Sequence, residues 1–443
     1  MTIYALSTGP GVSGLAVIRV SGKDTRVVIN KITGKSVPKP RTAVRRKFNK
    51  ISDNQLIDEG LLLWFPGPTS YTGEDMAEFH VHGSRAVINE IQNSLSKIPN
   101  LRLAEAGEFT KLAFQNGKIN LLRAESVADL ISSETEIQRQ QAINVMSGKS
   151  SDKFNSLRER LLKILSKVEA KIDFPEDDLP DDILLNIHSE VKSIREEIMK
   201  ILNDQKVGER IREGFKISIV GPTNAGKSSL LNYLSKRDVA IVSEIAGTTR
   251  DIIETHLNLD GYPVVISDTA GIRDSKDEIE KKGIKLALKK AENADLNIIV
   301  IEPKSIDFTH FFNDKISKKA ILVINKMDLG TDQISNEIKK YDPIYISIKE
   351  EKNIDKLINS IKENLKNKFI SSEEIFITRE RHRINLEQCF VSLKNFEQKK
   401  SLEDFDKAAE DLRLATRYLG IIVGKVDIEE ILGSIFNDFC IGK

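Results

Sequence analysis

Short apolar runs, separated by glycine, proline and serine, dominate the first 118 residues of the chain. Four of them, IYAL, LAVIRV, LLLWF and AEFHVH, are short or alternating enough to predict β-strands. Two segments with helical spacing, SRAVINEIQNSLSKI and EFTKLAFQN, predict one helix among the strands and a second that closes the region. The pattern therefore predicts a strand-rich domain over residues 1–118.

Beyond residue 120 the hydrophobic period becomes helical. Leu157, Leu161, Leu165, Val168 and Ile172 recur at helical spacing, and DFPEDDLPDD interrupts the pattern before another long helix. The stretch from 375 to 443 is helical again. In it, Asp427 and Glu430 form a pair typical of a helix N-terminus, which predicts a last helix.

Strands alternate with helices between these two helical stretches, from Phe215 to about Lys368, and Asp260-Gly261 predicts a hairpin turn. We therefore predict an α/β domain, residues 213–370, inserted into a helical domain made of residues 119–212 and 371–443. Two independent helical units would produce the same pattern and stay an alternative.

The α/β segment begins with a candidate phosphate loop. The strand KISIV leads into the loop from Gly221 to Ser228 and then into the helix SSLLNYL. Glycines let backbone N–H groups surround phosphates, Lys227 supplies a positive charge, and Ser228 offers a hydroxyl to Mg²⁺. This order of strand, loop and helix predicts a nucleotide site.

Two later motifs narrow the nucleotide to GTP. VVISD ends in Asp268, a carboxylate at a strand tip that suits Mg²⁺, commonly through water. AILVIN runs into Asn325-Lys326-Met327-Asp328, where an aspartate can accept hydrogen bonds from the ring N–H and exocyclic amine of guanine. Four letters alone are weak evidence, because Asn and Asp often form turns after strands. Three motifs in this order predict GTP.

One element of a Ras-type hydrolytic site is missing. Ras-type enzymes orient the attacking water with a glutamine that here is replaced by Ile272, and no arginine finger can be assigned. The following acidic stretch, RDSKDEIE, offers other polar groups, Glu280 among them.

Composition excludes several other classes. Two cysteines in 443 residues form no disulfide framework or paired zinc spacing, so a reducing, cytoplasmic location is expected. No leader or membrane-length apolar segment is evident. The net charge of +1 limits any nucleic-acid contact to local clusters such as Arg41–Lys47 and Arg379–Arg383, which are more often solvated faces.

Three patterns in the first domain have competing interpretations. Gly11-Val-Ser-Gly14 matches an RNA-binding GxxG loop but falls between strands. Glu78, His80 and His82 share a strand face, for which a half-exposed polar face is a better interpretation than a metal site. Arg19 shares a face with Leu15 and Val17, and an edge-strand salt bridge is the simplest explanation for its charge there.

Taken together, the phosphate loop with Asn224, EIAGTTRD, DTAG with its acidic stretch, NKMD and a terminal CIGK resemble the MnmE (TrmE) family of tRNA modification GTPases. FPGPTSYTGED and GEFTKLAFQNGKINL extend the resemblance into the first domain. The implied fold is α/β plus α: a P-loop GTPase domain inserted into a helical domain, with an N-terminal α+β folate-binding-like domain.

The resemblance implies a K⁺ ion in place of the arginine finger, held by Asn224, Ser243, Ile245 and Thr248. Glu280 matches the water-orienting acid, and Ser228 with Thr249 matches the Mg²⁺ side, although the residues alone do not separate Thr249 from Thr248. The guanine loop departs from the family's Ser-Ala-Lys form and reads Ser347-Ile348-Lys349. The residues expected to contact GTP are Asn224, Ala225, Gly226, Lys227, Ser228, Ser229, Thr249, Asp268, Thr269, Ala270, Gly271, Asn325, Lys326, Asp328 and Ser347.

For the N-terminal domain, the resemblance implies dimerisation and a tetrahydrofolate derivative bound by Arg19, Glu78, Lys118 and Lys443. Cys440 would lie near the chemistry as nucleophile, redox group or packing residue. The implied activity adds a carboxymethylaminomethyl or aminomethyl group to the wobble uridine of certain tRNAs, together with the FAD-containing protein MnmG.

Two other classes stay open as alternatives. A ribosome-assembly GTPase would use its flanking domains only to bind RNA. A membrane signalling GTPase would need a lipid on Cys440, which Gly442, Lys443 and the acidic FNDF segment disfavour.

Overall fold

The computed structural model describes residues 1–173, 182–222, 224–237, 240–241, 254–268, 289, 291–303, 319–330, 336–369, 375–399, 405–426, 432, 435–436, 439 and 441–442. The chain divides into two compact units. One comprises residues 1–128, 145–179 and 399–443, and the other comprises residues 129–144 and 180–398.

A six-stranded sheet organises the first unit. Its strands are β1 (Thr2–Leu6), β2 (Ser13–Ser21), β3 (Val44–Asn49), β4 (Leu56–Phe65), β5 (Met76–Gly83) and β6 (Leu101–Leu103), in the order β3-β4-β5-β2-β1-β6. One face carries the core, where Ile18, Phe48 and Phe79 are fully buried. This alternation confirms the four predicted strands and adds β3 and β6, which were not predicted.

Three helices accompany this sheet: α1 (Thr25–Thr33), α2 (Arg85–Ser96) and α3 (Glu108–Gln115). The prediction named α2 and α3 but missed α1, whose sequence TRVVINKIT is rich in β-branched residues that favour strands. Val28, Ile29 and Ile32 are fully buried on one side of α1, so burial outweighs the local preference. Gly34, with φ of 65°, ends the helix in the left-handed conformation.

Long helices that precede the α/β segment in sequence pack against long helices that follow it. After α4 (Leu121–Ile131) and α5 (Glu136–Met146), α6 (Lys149–Asp173) packs against α13 (Phe405–Val423) in the first unit. In the second unit, α7 (Asp182–Leu202) packs against α12 (Glu380–Gln398). Because helices before the α/β segment pack against helices after it, the α/β segment is an insertion into helical structure.

The last predicted helix is described only in part. Leu432, Ile435 and Phe436 are helical and buried, whereas Asp427 and Glu430 lie outside the described residues. Most of the interrupting segment DFPEDDLPDD, residues 174–181, also lies outside them, and α6 ends immediately before it.

The second sheet has the order β13-β12-β11-β7-β10-β9-β8. Strands β7 (Phe215–Val220), β10 (Tyr262–Asp268), β11 (Leu296–Ile301), β12 (Ala320–Ile324) and β13 (Ile344–Tyr345) are parallel, while β9 (Glu254–Leu259) and β8 (Ala240–Ile241) complete the sheet by antiparallel pairing. The described helices of this region are α8 (Val207–Glu213), α9 (Lys227–Arg237), α10 (Asn336–Lys339) and α11 (Ile354–Phe369). All six residues of β11 are buried, as expected for a parallel strand covered on both faces.

The predicted hairpin at Asp260-Gly261 is confirmed. Both residues have positive φ, 51° and 90°, and they join β9 to β10 with Leu259 opposite Tyr262. Two successive positive φ values are typical of the turn that matches the twist of paired strands.

Candidate functional site

The carboxyl edge of the parallel sheet gathers the predicted nucleotide motifs. The phosphate loop follows β7, Asp268 ends the adjacent strand β10, Asn325 follows β12, and Ser347 comes shortly after β13. Parallel strands end at the same edge of a sheet, which is where α/β proteins of this kind bind ligands. Four separate stretches of sequence therefore meet at one edge.

Two glycines of the phosphate loop are required by close backbone approaches. A Cβ on Gly221 would come within 2.0 Å of Val300 O, and one on Gly226 would come within 2.2 Å of Asn325 Nδ2. Gly226 also has a φ of 99°, which side chains rarely adopt. The loop therefore lies tightly against β11 and the start of the NKMD motif.

Lys227 begins α9, and its ammonium donates to the carbonyl oxygens of Gly221, at 2.9 Å, and Pro222, at 2.7 Å. Ser228 and Ser229 follow it in the first turn and are exposed. A helix N-terminus that presents N–H groups, a lysine and exposed serine hydroxyls can hold phosphate and a phosphate-bound Mg²⁺. The residues present thus fit both groups.

Asp268 is placed beside the loop by strand pairing. It stands opposite Ile219 in the register of β10 and β7, one residue before the strand β7 ends. Its expected role on the Mg²⁺ side stays a prediction.

Asn325 connects the phosphate end of the site to the guanine end. Its amide donates to Ala225 O at 2.9 Å, and its Oδ1 accepts from the backbone N–H of Ile348 at 3.3 Å. The side chain is only 4% exposed. The loop Ser347-Ile348-Lys349 is thus held by the NKMD motif despite its unusual central residue.

Asp328 and Ser347 lie at the end of the site where the sequence predicts guanine recognition. The Ser347 hydroxyl donates to Asp328 Oδ1 at 2.7 Å, and this hydrogen bond lowers the pKa of the Asp328 carboxyl. Ser347 itself is fully buried and its Oγ accepts from the N–H of Glu350 at 3.2 Å. The arrangement keeps Asp328 ionised and able to accept two N–H donors of a guanine.

Glu302 is a site residue that the sequence prediction missed. It follows β11 at the same edge and pairs with Lys326, with Nζ and Oε2 2.7 Å apart. A single acidic residue after a buried strand gives no signal by itself, and only the sheet order brings it next to Lys326.

In the first unit, Arg19 and Glu78 form an ion pair in which Arg19 Nη2 lies 2.9 Å from Glu78 Oε1. They stand opposite each other in the register of β2 and β5. The sheet order makes both strands internal, so the prediction that Arg19 lies on an edge strand was wrong. The salt bridge itself is present, and Leu15 on the same face is 53% exposed, so this face is not the core.

Aromatic rings and hydroxyls surround this pair. The guanidinium carbon of Arg19 lies 5.9 Å from the ring centroid of Tyr71 and 5.6 Å from that of Phe109. Ser21, two residues along β2, shares a 2.7 Å hydrogen bond with Thr72. None of these four residues was predicted as a site residue: Tyr71, Thr72 and Phe109 lie in the segments that carry the family resemblance, but nothing in those segments singles them out, and Ser21 lies in β2.

Lys118 lies near the loop that contains Thr72. A Cβ on Gly73 would come within 2.9 Å of Lys118 Cε, and neighbouring Asn116 donates to Thr72 O at 2.7 Å. The side chain of Lys118 is exposed. Sequence positions 19, 72, 78 and 118 are therefore linked through contacts in one domain.

The tail segment, defined here by its described residues Phe439, Ile441 and Gly442, reaches Arg19. Gly442 O accepts from the Ser7 hydroxyl at 2.9 Å and lies 3.5 Å from Arg19 Nη1. Ile441 forms an antiparallel bridge with Ala106, and Phe439 is buried against Leu121 and Ala124. The described tail residues are docked, which excludes a frayed terminus for them. Cys440 and Lys443 lie outside the described residues.

Family comparisons cover nearly the whole chain. A model of the GTP-binding protein TrmE N-terminus matches residues 2–118, and a model of the MnmE helical domain matches residues 121–440. The chain belongs to the MnmE family. This confirms the resemblance drawn from the sequence, together with the predicted fold class and the predicted enzyme class, a GTP hydrolase.

Curated MnmE relatives match over their full length. The tRNA modification GTPase MnmE of Pelagibacter ubique (strain HTCC1062) is 71% identical over 443 residues and covers 100% of both chains. The proteins of the same name from Rickettsia bellii (strain RML369-C) and Parvibaculum lavamentivorans are 45% and 42% identical, again with 100% coverage of each chain.

Among solved structures, the G domain of the T. maritima FeoB iron transporter is 24% identical, with a TM-score of 0.25. It covers 34% of this chain and 98% of its own, a similarity too low to carry an argument.

Several MnmE-type positions lie outside the described residues and stay predictions. They are Ser243, Ile245, Thr248, Thr249, Thr269, Ala270, Gly271 and Glu280. Asn224 of the same expected K⁺ set is described: it is exposed and has a φ of 62°, a conformation that asparagine tolerates better than most residues.

The structure also addresses the competing patterns. Gly11 lies in the connection between β1 and β2 and Gly14 lies at the start of β2, which is not the helix–helix setting of an RNA-binding GxxG loop. Glu78, His80 and His82 do share one face of β5, yet His82 pairs with Asp58 at 2.8 Å. Among the described residues, no group of three or more His, Cys, Asp or Glu could hold a metal ion.

Two arginines of the basic cluster Arg379–Arg383 are engaged in ion pairs, so the cluster as a whole is neither a solvated face nor a surface open to RNA. Arg383 is 7% exposed and bonds to both Glu209 and Asp204, at 2.6 Å each. Arg379 bonds to Asp129 at 2.7 Å. These arginines join helical segments of the second unit, so the solvated-face interpretation was wrong for them.

Membrane contact was predicted to be absent. Within the described ranges, none of the helices combines the length and apolar character that crossing a bilayer requires.

Proposed function

We propose that this protein is a K⁺-dependent GTPase that acts with the flavoprotein MnmG on the wobble uridine of certain tRNAs. The pair adds a carboxymethylaminomethyl or aminomethyl group and uses a folate one-carbon unit. Full-length identity of 71% to a protein named tRNA modification GTPase MnmE supports the tRNA part of this proposal. GTP, Mg²⁺, K⁺ and a tetrahydrofolate derivative are the cofactors and substrates it requires.

The observation that carries the proposal is that the tail segment docks at the Arg19–Glu78 pair, in a unit of the chain that does not contain the nucleotide motifs. The protein thus has two chemically different sites. GTP hydrolysis would accordingly drive movement of the α/β domain and would not supply the transferred group.

In the nucleotide site, the residues of the chain divide the work by chemistry. Backbone N–H groups from Asn224 to Ser229 and the Lys227 ammonium bind phosphates, while Ser228, Thr249 and Asp268 lie on the Mg²⁺ side. Asn325, Lys326, Asp328 and Ser347 recognise guanine, and Thr269, Ala270 and Gly271 contact the terminal phosphate. Bound Mg²⁺ would neutralise phosphate charge.

We further propose that Asn224, Ser243, Ile245 and Thr248 bind K⁺ and that Glu280 orients the attacking water. The exposed side chain of Asn224 at the phosphate loop carries an oxygen that suits a hard cation. Bound K⁺ would supply the positive charge that an arginine finger supplies elsewhere. An arginine finger raises the rate by about 10³–10⁵, and K⁺ should contribute a detectable share of that factor. Ile272, which has no polar side-chain atom, leaves water orientation to another group.

The K⁺ proposal is tested by measuring GTP hydrolysis in matched K⁺ and Na⁺ buffers. We expect much faster hydrolysis in K⁺, loss of that response with retained nucleotide binding in Asn224→Ala, and loss of hydrolysis in both salts in Glu280→Ala. Equal rates in the two salts would contradict the proposal.

In the first unit, we propose that Arg19, Glu78, Lys118 and Lys443 bind a reduced folate. The Glu78 carboxylate is oriented by Arg19 and remains 17% exposed, so it can accept hydrogen bonds from ring N–H groups. Cys440 would lie near the transferred group, as nucleophile, redox group or packing residue.

Deleting residues 440–443 tests the whole proposal. We expect tRNA modification to be abolished, with K⁺-stimulated GTP hydrolysis preserved, because the deletion leaves every nucleotide motif intact. Mass spectrometry of tRNA nucleosides from a deletion strain carrying the truncated gene measures the first quantity. Normal modification by the truncated protein would show that the tail has no role.

The proposal includes a homodimer formed by the N-terminal domain, an MnmG complex and a cytoplasmic location. It keeps the domain limits 1–118, 119–212, 213–370 and 371–443. Only the first limit has support from the family matches, one of which ends at residue 118 while the other begins at residue 121.

A further inference from the structure

The tail segment depends on contacts from three separate parts of the first unit. Phe439 packs against α4, Ile441 pairs with Ala106, and Gly442 O accepts from Ser7. Only the last of these contacts is a hydrogen bond from a side chain shorter than 3 Å. It is therefore the contact that a single side-chain change can remove without disturbing the rest.

Ser7 is itself held in place by the sheet. Its backbone N–H donates to Val17 O at 2.7 Å, which extends the pairing of β1 and β2 one residue beyond Leu6. The sheet thus holds Ser7 opposite Val17, which precedes Arg19 by two residues in β2. Because the sheet fixes the position of the Ser7 hydroxyl, the hydroxyl can bond only to the tail carbonyl that lies within its reach, that of Gly442.

The receiving residue must be a glycine. Gly442 is buried and has a φ of 98°, and an added Cβ would come within 2.1 Å of Leu6 O. Any residue with a Cβ at this position would overlap Leu6 O. A shift of the tail by one residue would place a residue with a side chain at this position, Ile441 for example, and its Cβ would clash with Leu6 O.

We propose that Ser7 is a positioning residue that fixes the register of the tail segment over Arg19, with Gly442 as its required partner. In sequence, Cys440 directly precedes Ile441 and Lys443 directly follows Gly442, so the register of the described residues decides where each of them is delivered. This inference rests on the proposed function only for its consequence, because the role of Cys440 and Lys443 in tRNA modification belongs to that proposal. Ser7 acts through the tail and is not a catalytic residue.

Hydrogen–deuterium exchange of the full-length protein tests the inference directly. In Ser7→Ala, peptides covering residues 436–443 should exchange about five- to tenfold faster, as expected for the loss of one hydrogen bond that holds the segment closed. Ser7→Thr keeps the hydroxyl and should restore the wild-type rate. Gly442→Ala should exchange fastest, because it both strains the backbone and overlaps Leu6.

The matched control is Ser13→Ala. Ser13 lies in the same domain, at the start of β2, and its exposed hydroxyl donates to Leu15 O of the same strand at 2.7 Å. Its tail peptides should exchange at the wild-type rate, and GTP hydrolysis should be unchanged in every variant. Unchanged tail exchange in Ser7→Ala would overturn the inference, as would failure of Ser7→Thr to restore it.

The same variants separate this inference from the proposed function. If Ser7→Ala loosens the tail and lowers tRNA modification, both stand. If the tail loosens and modification stays normal, Ser7 positions the tail but the tail's role in modification is wrong. The two failures therefore give different results.

Discussion

The nucleotide edge and the Arg19 junction are built on opposite principles. At the nucleotide edge, each contributing stretch directly follows a strand of one parallel sheet, and most contacts involve backbone atoms. At the Arg19 junction, which comprises Ser7, Arg19, Glu78 and Gly442, the side chains of the first three residues meet the backbone carbonyl of the fourth or each other. A site of the first kind can be predicted from short motifs, whereas a site of the second kind depends on register and on the ends of the chain.

The largest effect is expected from Gly226→Ala, which should disturb only the nucleotide edge. The new Cβ overlaps the Asn325 amide in a backbone conformation with a φ of 99°. About 3 kcal/mol of strain corresponds to a loss of GTP affinity of about 100-fold, which calorimetry can measure. Folate affinity should be unchanged.

Gly330→Ala separates strain from overlap in that experiment. Gly330 has nearly the same φ, 96°, but nothing lies within 4 Å of its added Cβ. If Gly226→Ala binds GTP as well as Gly330→Ala does, the close approach to Asn325 is unimportant.

The second prediction addresses the Arg19 junction. Arg19→Ala removes hydrogen bonds to a carboxylate, which are each worth about 1.5–3 kcal/mol, so the affinity for a reduced folate should fall about 10- to 100-fold. GTP hydrolysis should stay near normal. Arg26→Ala is the control, since Arg26 also pairs with a carboxylate, Asp75 at 2.7 Å, but is 59% exposed. Unchanged folate affinity in calorimetry would mean that Arg19 is wrongly assigned.

A smaller effect is expected for Asn325→Ala, which removes the link between the phosphate and guanine ends. Loss of its two hydrogen bonds should lower GTP affinity about tenfold, measured with a fluorescent GTP analogue. The control is Asn364→Ala, in which the lost amide donates to Ser360 O within α11. Equal affinities for the two variants would show that the link adds nothing.

The smallest effect is expected for Ser347→Ala. The Ser347 hydroxyl lowers the pKa of Asp328. An ordinary aspartate has a pKa of about 3.9, so in the folded protein the Asp328 carboxyl stays ionised to a lower pH than that of an ordinary aspartate. The variant should raise that pKa toward the ordinary value. The ionised form, and any stability that depends on it, would then be lost at a higher pH as the pH falls.

A carbon-13 NMR titration of aspartate-labelled protein can follow this change. Ser235→Ala, whose hydroxyl donates to Leu231 O in α9, should leave the titration of Asp328 unaltered. The interpretation fails if the Asp328 curve is the same in Ser347→Ala and in the wild type.

Much of the fold was predictable because hydrophobic period depends on local sequence. The strands β1, β2, β4 and β5 were found in this way, and the turn residues Asp260-Gly261 predicted the hairpin. Helix α1 was missed because β-branched residues favour strands locally while tertiary burial decides the outcome. Strand β3 was read as a basic cluster, since its exposed Arg45 and Lys47 alternate with a buried face that only Phe48 fills.

The sites show the same division. Lys227, Asn325 and Asp328 were predictable because each lies in a contiguous motif whose backbone geometry follows from the strand before it. Ser7, Tyr71 and Glu302 were not predictable, because single residues of these types are common and only the folded chain brings them to a site. Arg383 was misjudged for a related reason: a charged residue in a helical stretch gives no sign of buried partners such as Glu209.

The bond between Ser7 and Gly442 joins residues 435 positions apart in the chain. Synthesis on the ribosome makes Ser7 early and Gly442 long after the α/β segment is complete. A nascent chain can therefore fold its nucleotide-binding strands, and meet GTP, while the Arg19 junction still lacks its last component. The order of translation thus separates the two sites in time, and the junction is assembled only when residues near 442 have left the ribosomal tunnel.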